Sequence, residues 1–188
     1  MTSSLRILQS LLLFLVFSVL AAASPASAQS NTHIRVAVVG LNHDHIRGFL
    51  HNLPSHPEVE LVGFAEPDAA LRQKYAAQFH IANSLFFSKE SEMLAKTHPQ
   101  AILVYTSIAG HRAAIEEAAP LHIAAMVEKP LATTVEDALA IERLSEKYNV
   151  PVLTNYETTW YNSNTAANDL LASGKIGDLR KLVRYDGH

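Results

Sequence analysis

The chain has 188 residues, a formal net charge of −3, no cysteine, and 48% hydrophobic against 18% charged residues. A disulfide-stapled or cysteine-ligated zinc fold is excluded for want of thiols, a nucleic-acid binder held by a basic surface by the charge, and intrinsic disorder by the apolar content. The length suits roughly one domain at about 150 residues each.

Residues 1–28 stand apart. Arg6 supplies a basic start, Leu8 to Ala23 is apolar except for Gln9, Ser10 and Ser18, and Ala26-Ser27-Ala28 forms a small-x-small cleavage site. This is the layout of a secretory signal peptide. The apolar run is shorter than the roughly 20 residues a membrane span needs, and no Lys/Arg cluster follows it. The expectation is cleavage after Ala28, no stable membrane anchor afterwards, and a periplasmic or secreted location. There is no twin-arginine pair, so general secretion is expected.

From Ile34 onward, strand and helix patterns alternate. Ile34 to Val39 is a β-branched run ending at Gly40. Asp44 to Leu53 reads as a short helix stopped by Pro54, and Val59 to Ala65 as the second strand. Asp68 caps a helix reaching Phe79, with Ala69, Leu71, Tyr75, Ala76 and Phe79 at helical spacing. Leu85 to Phe87 is a brief strand, Glu90 to Thr97 a helix, Ala101 to Thr106 a strongly apolar strand, Gly110 to Ala119 a helix ended by Pro120, and Ile123 to Val127 a further strand. Thr134 with Asp137 three residues on opens a long helix in near capping-box fashion, with Ala138, Leu139, Ile141, Leu144 and Tyr148 as its apolar face. Asn149 ends that helix and Val150 to Thr154 is a strand. Strands that are apolar throughout and separated by helices imply a parallel sheet covered on both faces. Right-handed crossovers make it a doubly wound α/β sheet, Rossmann-like, over residues 32–155. Past Asn155 the pattern yields a short helix at Ala166–Ser173 and one strand at Asp178–Asp186.

Open α/β sheets bind ligands at the carboxyl ends of their strands, which directs attention to Gly40-Leu41-Asn42-His43-Asp44-His45. A dinucleotide fingerprint wants glycine at 40, 42 and 45, and only Gly40 fits. Asn42 is the mildest substitute because Asn tolerates left-handed backbone; His45 stands where glycine would allow close packing. Glu66, just past the second strand, sits where a carboxylate accepts hydrogen bonds from ribose hydroxyls and repels a 2′-phosphate. That points to NAD ahead of NADP, the alternative being a solvated loop carboxylate.

The segment Met126-Val127-Glu128-Lys129-Pro130-Leu131-Ala132 resembles the Glu-Lys-Pro signature of the glucose–fructose oxidoreductase, inositol dehydrogenase and MocA family (Gfo/Idh/MocA). Ala65-Glu66-Pro67-Asp68 resembles that family's acidic turn, Thr106-Ser107-Ile108-Ala109-Gly110-His111 its Thr-Pro-Asn-x-x-His segment with Ser107 in place of proline, and Gly174-Lys175-Ile176-Gly177 its Gly-x-Ile-Gly entry into a second domain. The resemblance implies an NAD(P)-dependent oxidoreductase transferring hydride to or from a sugar or polyol-like small molecule. It makes Lys129 the catalytic residue beside nicotinamide and substrate. Gly40, Asn42, His43, His45, Glu66, Thr106, His111 and Glu128 become the cofactor-binding set. It also implies homo-oligomers for full-length members. Residues 156–188 then read as the start of a C-terminal substrate domain, and the family's Asp and His on a second-domain helix have no counterpart after Asp178, so the chain as written reads as a fragment inactive alone. Two other functions stay open: an NAD-dependent glycosidase of the same fold, and a nucleotide-binding module without catalysis. The histidine-rich turn could supply His-x-His and Asp44 to a metal; the simpler reading, adopted here, is a polar turn lining the phosphate site, with no metal.

Overall fold

Each apolar run becomes a strand because it can be buried on both faces at once, and each amphipathic stretch becomes the helix that buries it. The computed structural model describes residues 33–183. The signal-peptide reading of residues 1–28 lies outside the described residues. The strands are β1 (Ile34–Val39), β2 (Val59–Ala65), β3 (Phe86–Phe87), β4 (Ala101–Val104), β5 (Ala124–Glu128) and β6 (Val152–Asn155). The helices are α1 (His45–Asn52), α2 (Ala69–Phe79), α3 (Glu90–Thr97), α4 (His111–Ala118), α5 (Val135–Tyr148) and α6 (Asn162–Ala172).

All strand pairs are parallel and the order is β3-β2-β1-β4-β5-β6. This is the doubly wound Rossmann order, with its reversal between β1 and β4. The first two helices and the later ones therefore fall on opposite faces. One face packs Val38, Leu41, Ile46, Leu50, Phe64 and Tyr75, with Phe86 stacked on Phe64 at 4.7 Å. The other packs Met93, Leu94, Ile102, Ile115, Ala118 and Ile141. Each large apolar side chain so buried contributes about 1.5–3 kcal/mol. The register aligns Val39 with Ala65 and Val104, and Val104 with Val127. Four strands thus end level, and Gly40, Glu66 and Tyr105, which follow β1, β2 and β4, share one edge with Glu128 at the end of β5.

Asp68 caps α2 by accepting from the Ala70 N–H at 2.7 Å and the Leu71 N–H at 3.4 Å, and the Thr134 hydroxyl oxygen caps α5 by accepting from the Asp137 N–H at 3.1 Å. Both caps follow the sequence reading. Several details depart from it. Pro54 and Pro120 do not end their helices outright; each sits in a 3-10 turn that continues the helix, since proline in a first turn has no N–H to waste. Leu139 is 45% exposed while Ala140 is buried, because Leu139 lies two residues, about 200°, from Ile141 around the helix. The helix expected at Ala166–Ser173 begins earlier, with polar Asn162 to Asn164 in the first turn of α6. The strand expected at Asp178–Asp186 is absent over its described part, 178–183. Leu179, Leu182 and Val183 there are exposed, with no strand beside them among the described residues, and an unpaired strand has no ladder to hold it. Among the described residues, no helix is long and apolar enough to cross a membrane.

Candidate functional site

The first turn is built around a missing side chain. Gly40 has φ +80°, and a Cβ there would stand 2.8 Å from the Thr106 backbone nitrogen and 2.9 Å from its Cα. Only glycine allows the turn after β1 to lie this close to the turn after β4.

Glu66 follows β2 and is buried. Its Oε2 accepts from the Leu41 N–H at 2.8 Å, and its Oε1 from the Asp68 N–H at 2.9 Å. Arg72 donates to the carbonyls of Glu66 and Pro67, fixing that loop. Each carboxylate oxygen keeps a further lone pair. Beside it opens a cavity of about 230 Å³ lined by Gly40, Asn42, Glu66, Ser88, Thr106 and Ser107, among others. A ribose with two hydroxyl donors fits this lining, which supplies acceptor capacity and small hydroxyl side chains.

The histidine side of the turn is different. The Asn42 and His43 N–H groups both donate to the Tyr105 carbonyl, at 3.2 and 3.0 Å, and the His45 N–H donates to Nδ1 of His43 at 3.3 Å. The turn's amides are thus engaged within the protein, and the two imidazoles, packed edge-to-face at 4.5 Å, occupy space that glycines would leave open.

The end of β5 meets this turn. Glu128 is buried; its Oε2 lies 3.0 Å from Nδ1 of His45, and its Oε1 accepts from the Asn155 amide at 2.9 Å. Lys129 is exposed, its N–H makes a long 3.4 Å contact with Glu128 Oε2, and the Lys129–Pro130 bond is cis. A second cavity, about 420 Å³, adjoins these groups and is lined by Asp44, His45, Arg47, Tyr105, Asn155 and Glu157, among others. Burial, then the negative charge of Glu128, pushes the Tyr105 hydroxyl well above the usual phenol range, so it stays protonated.

His111 is placed otherwise than the cleft contact expected of it. It is fully buried at the start of α4, and its Nδ1 donates to the Leu131 carbonyl at 3.1 Å. Since a carbonyl only accepts, Nδ1 carries the proton and Nε2 is left a bare lone pair with no partner. Burial first holds the ring below its ordinary value and keeps it neutral. His111 therefore braces the loop after Lys129 from behind. Of the other expected residues, Gly40, Asn42, Glu66 and Thr106 line the smaller cavity, and His43, His45 and Glu128 form one cluster. Sequence reasoning missed Asn155, Tyr105 and Glu90. Asn155 ends β6 and Tyr105 follows β4 on the ligand-binding edge, which is the signal that could have found them.

Comparison with known proteins agrees with the geometry. The model of an oxidoreductase family with an NAD-binding Rossmann fold, Gfo/Idh/MocA, matches residues 34–156. A dTDP-3,4-didehydro-2,6-dideoxy-alpha-D-glucose 3-reductase of Saccharopolyspora spinosa is 27% identical over 154 residues, which are 82% of this chain and 46% of that protein. The chain thus spans about half the length of that relative. An oxidoreductase from Agrobacterium radiobacter, solved with NAD+, L-tartaric acid and magnesium, superposes with a TM-score of 0.69 at 22% identity, over 78% of this chain and 42% of that one. The WlbA dehydrogenase from Chromobacterium violaceum, solved with NADH and UDP-GlcNAcA, does so with a TM-score of 0.67 at 19% identity, over 79% and 42%.

Proposed function

Because the chain belongs to the Gfo/Idh/MocA oxidoreductase family, whose model describes an NAD-binding Rossmann fold, we propose that it holds NAD for hydride transfer to or from a hydroxyl-bearing, sugar-like small molecule. The observation that carries this reading is Glu66, a buried carboxylate fixed at the mouth of a nucleoside-sized cavity beside the sheet's order reversal. Gly40 keeps the floor of that cavity open, and Thr106, Ser107 and Ser88 supply hydroxyls to its wall. Glu66 favours NAD over NADP, because a 2′-phosphate would meet its negative charge. Arg72, the cation on the next helix, is engaged with backbone carbonyls.

The nicotinamide, when bound, supplies or accepts the hydride. The protein's own share is positioning and proton handling. Lys129 projects from the end of β5 as an exposed cation with no carboxylate at ion-pair distance among the described residues. Its Nζ is therefore free to hold a substrate oxygen and to offset negative charge developing there. Glu128 and His111 fix the backbone on either side of it. The reading includes export, on the strength of the pattern in residues 1–28.

Calorimetric titration tests the cofactor assignment. NADH is expected to bind at one equivalent per chain, more tightly than NADPH. Glu66→Gln, which keeps one acceptor oxygen for the turn, should weaken binding about tenfold, the loss of roughly one charge-assisted hydrogen bond. Failure of NADH to bind the folded protein would reject the reading.

A further inference from the structure

The turn after β1 and the end of β5 bring His43, His45 and Glu128 together, with one potential ligand atom from each lying within 4.8 Å of the others. We propose that these three residues bind a divalent transition-metal ion of the zinc class, in a site separate from the nucleoside cavity. The proposal does not depend on the nucleotide reading.

The key distance is the 3.0 Å between His45 Nδ1 and Glu128 Oε2. Two ligands held about 2.1 Å from one ion, at angles between octahedral and tetrahedral, stand about 3.0–3.4 Å apart. An ion can thus replace the proton the pair now shares with little movement of either group. His43 closes the set: its ring packs edge-to-face on His45, and among the described residues its one side-chain hydrogen bond is the long 3.3 Å contact from the His45 N–H.

The surroundings suit an ion as well. Glu128 is buried, yet among the described residues its only ion-pair partner is the imidazole of His45, and buried carboxylates are usually paired with a full cation or bound to a metal. Asn155 holds the other carboxylate oxygen at 2.9 Å, the kind of outer contact that orients a metal ligand. Two imidazoles and one carboxylate suit zinc and its neighbours better than magnesium or calcium, which prefer all-oxygen sets. Three protein ligands leave at least one position open toward the 420 Å³ cavity that His45 and Asn155 also line. Water or an oxygen of a small molecule would fill it.

The test uses the full chain, freed of metal with a chelator, desalted, and titrated without nucleotide. Cobalt(II) is added while visible absorption is followed, and zinc is then added in competition. The expected result is one cobalt per chain with the absorption of a four- or five-coordinate site, displaced by zinc. His45→Ala and Glu128→Gln should each weaken binding by more than the roughly 10–100-fold typical of outer-shell changes, and Asn155→Ala by an amount within that range. His51→Ala and His56→Ala, surface histidines outside the cluster, should leave it unchanged. Half-exposed His45 is the variant least apt to unfold the protein, and circular dichroism confirms the fold of each variant. Absence of stoichiometric binding, or binding equally tight in folded His45→Ala, overturns the proposal and leaves a hydrogen-bonded histidine–carboxylate pair. NADH binding is read separately, so either assignment can fail alone.

Discussion

Glu90 shows how far a residue can depart from what its position suggests. A carboxylate in the first turn of a helix ordinarily gains from the helix dipole. Here Oε1 is buried without a partner, and burial, helped by the charge of Glu117, pushes the carboxyl up to about 8. The folded chain therefore keeps a proton at neutral pH that the unfolded chain releases near 4.5. Stability is full below that value and declines as pH rises through about 8. Glu90→Gln should flatten this decline and gain on the order of a few kcal/mol over wild type at pH 9, read by urea unfolding across pH 5–9. The histidines carry a similar lesson. His80, His98 and His122 adopt left-handed backbone (φ 53°, 44° and 57°) and each terminates a helical segment, a position usually given to glycine or asparagine. Three of the ten histidines thus serve chain geometry. The position of Glu66 at the ligand-binding edge was legible because it directly follows the second strand; its burial and its grip on Leu41 and Asp68 were not. The pairing of His45 with Glu128 was not, since 83 positions separate them and only the parallel register brings the two turns together.

At the level of elements, capping was the most legible feature. The Thr134 hydroxyl accepts from the Asp137 N–H and donates to the Asp137 carboxylate at 2.8 Å, and Arg112 reaches across from α4 to the same carboxylate at 3.1 Å. The Thr134 hydrogen bond first, and the arginine second, hold Asp137 below the usual carboxylate range. Stabilisation from this exposed group is present above pH 4 and fades as acid protonates it. Thr134→Ala should cost about 1 kcal/mol at pH 7, as N-cap losses do, with a smaller cost at pH 3; thermal unfolding at the two pH values checks both. Strands β1 and β2 were read to the residue because their β-branched runs are bounded by Gly40 on one side and Glu66 on the other. The segment 178–183 was misread because Leu179, Leu182 and Val183 supply strand-like composition without a partner, and pairing lies beyond the reach of local pattern.

Across residues 33–183, burial is unevenly shared. The sheet, its five flanking helices and the turns between them contain the whole buried core, whereas α6 buries nothing and every residue from 172 to 183 is exposed. Local opening is cheapest where few buried contacts must break. Trypsin in limiting amount should therefore cut first at Lys175, Arg180 or Lys181. The product ending there should resist further cleavage and keep the unfolding midpoint of the intact chain; mass spectrometry and calorimetry of the trimmed protein check this. Early cuts at Arg35 in β1 or Arg112 in α4 would contradict it. The doubly wound architecture was legible at this scale because six buried apolar runs separated by helices admit few other arrangements.

The carboxylate of Glu66 joins two turns that are otherwise independent: one oxygen grips Leu41 after β1, the other Asp68 after β2. Those bonds form during folding, so the entropy of ordering both loops is already spent before any ligand arrives. In the proposed NAD reading, recognition and architecture are carried by the same two oxygen atoms. On that reading, a substitution at Glu66 made to change cofactor preference would need a new stitch between the loops as well as a new partner for the ligand.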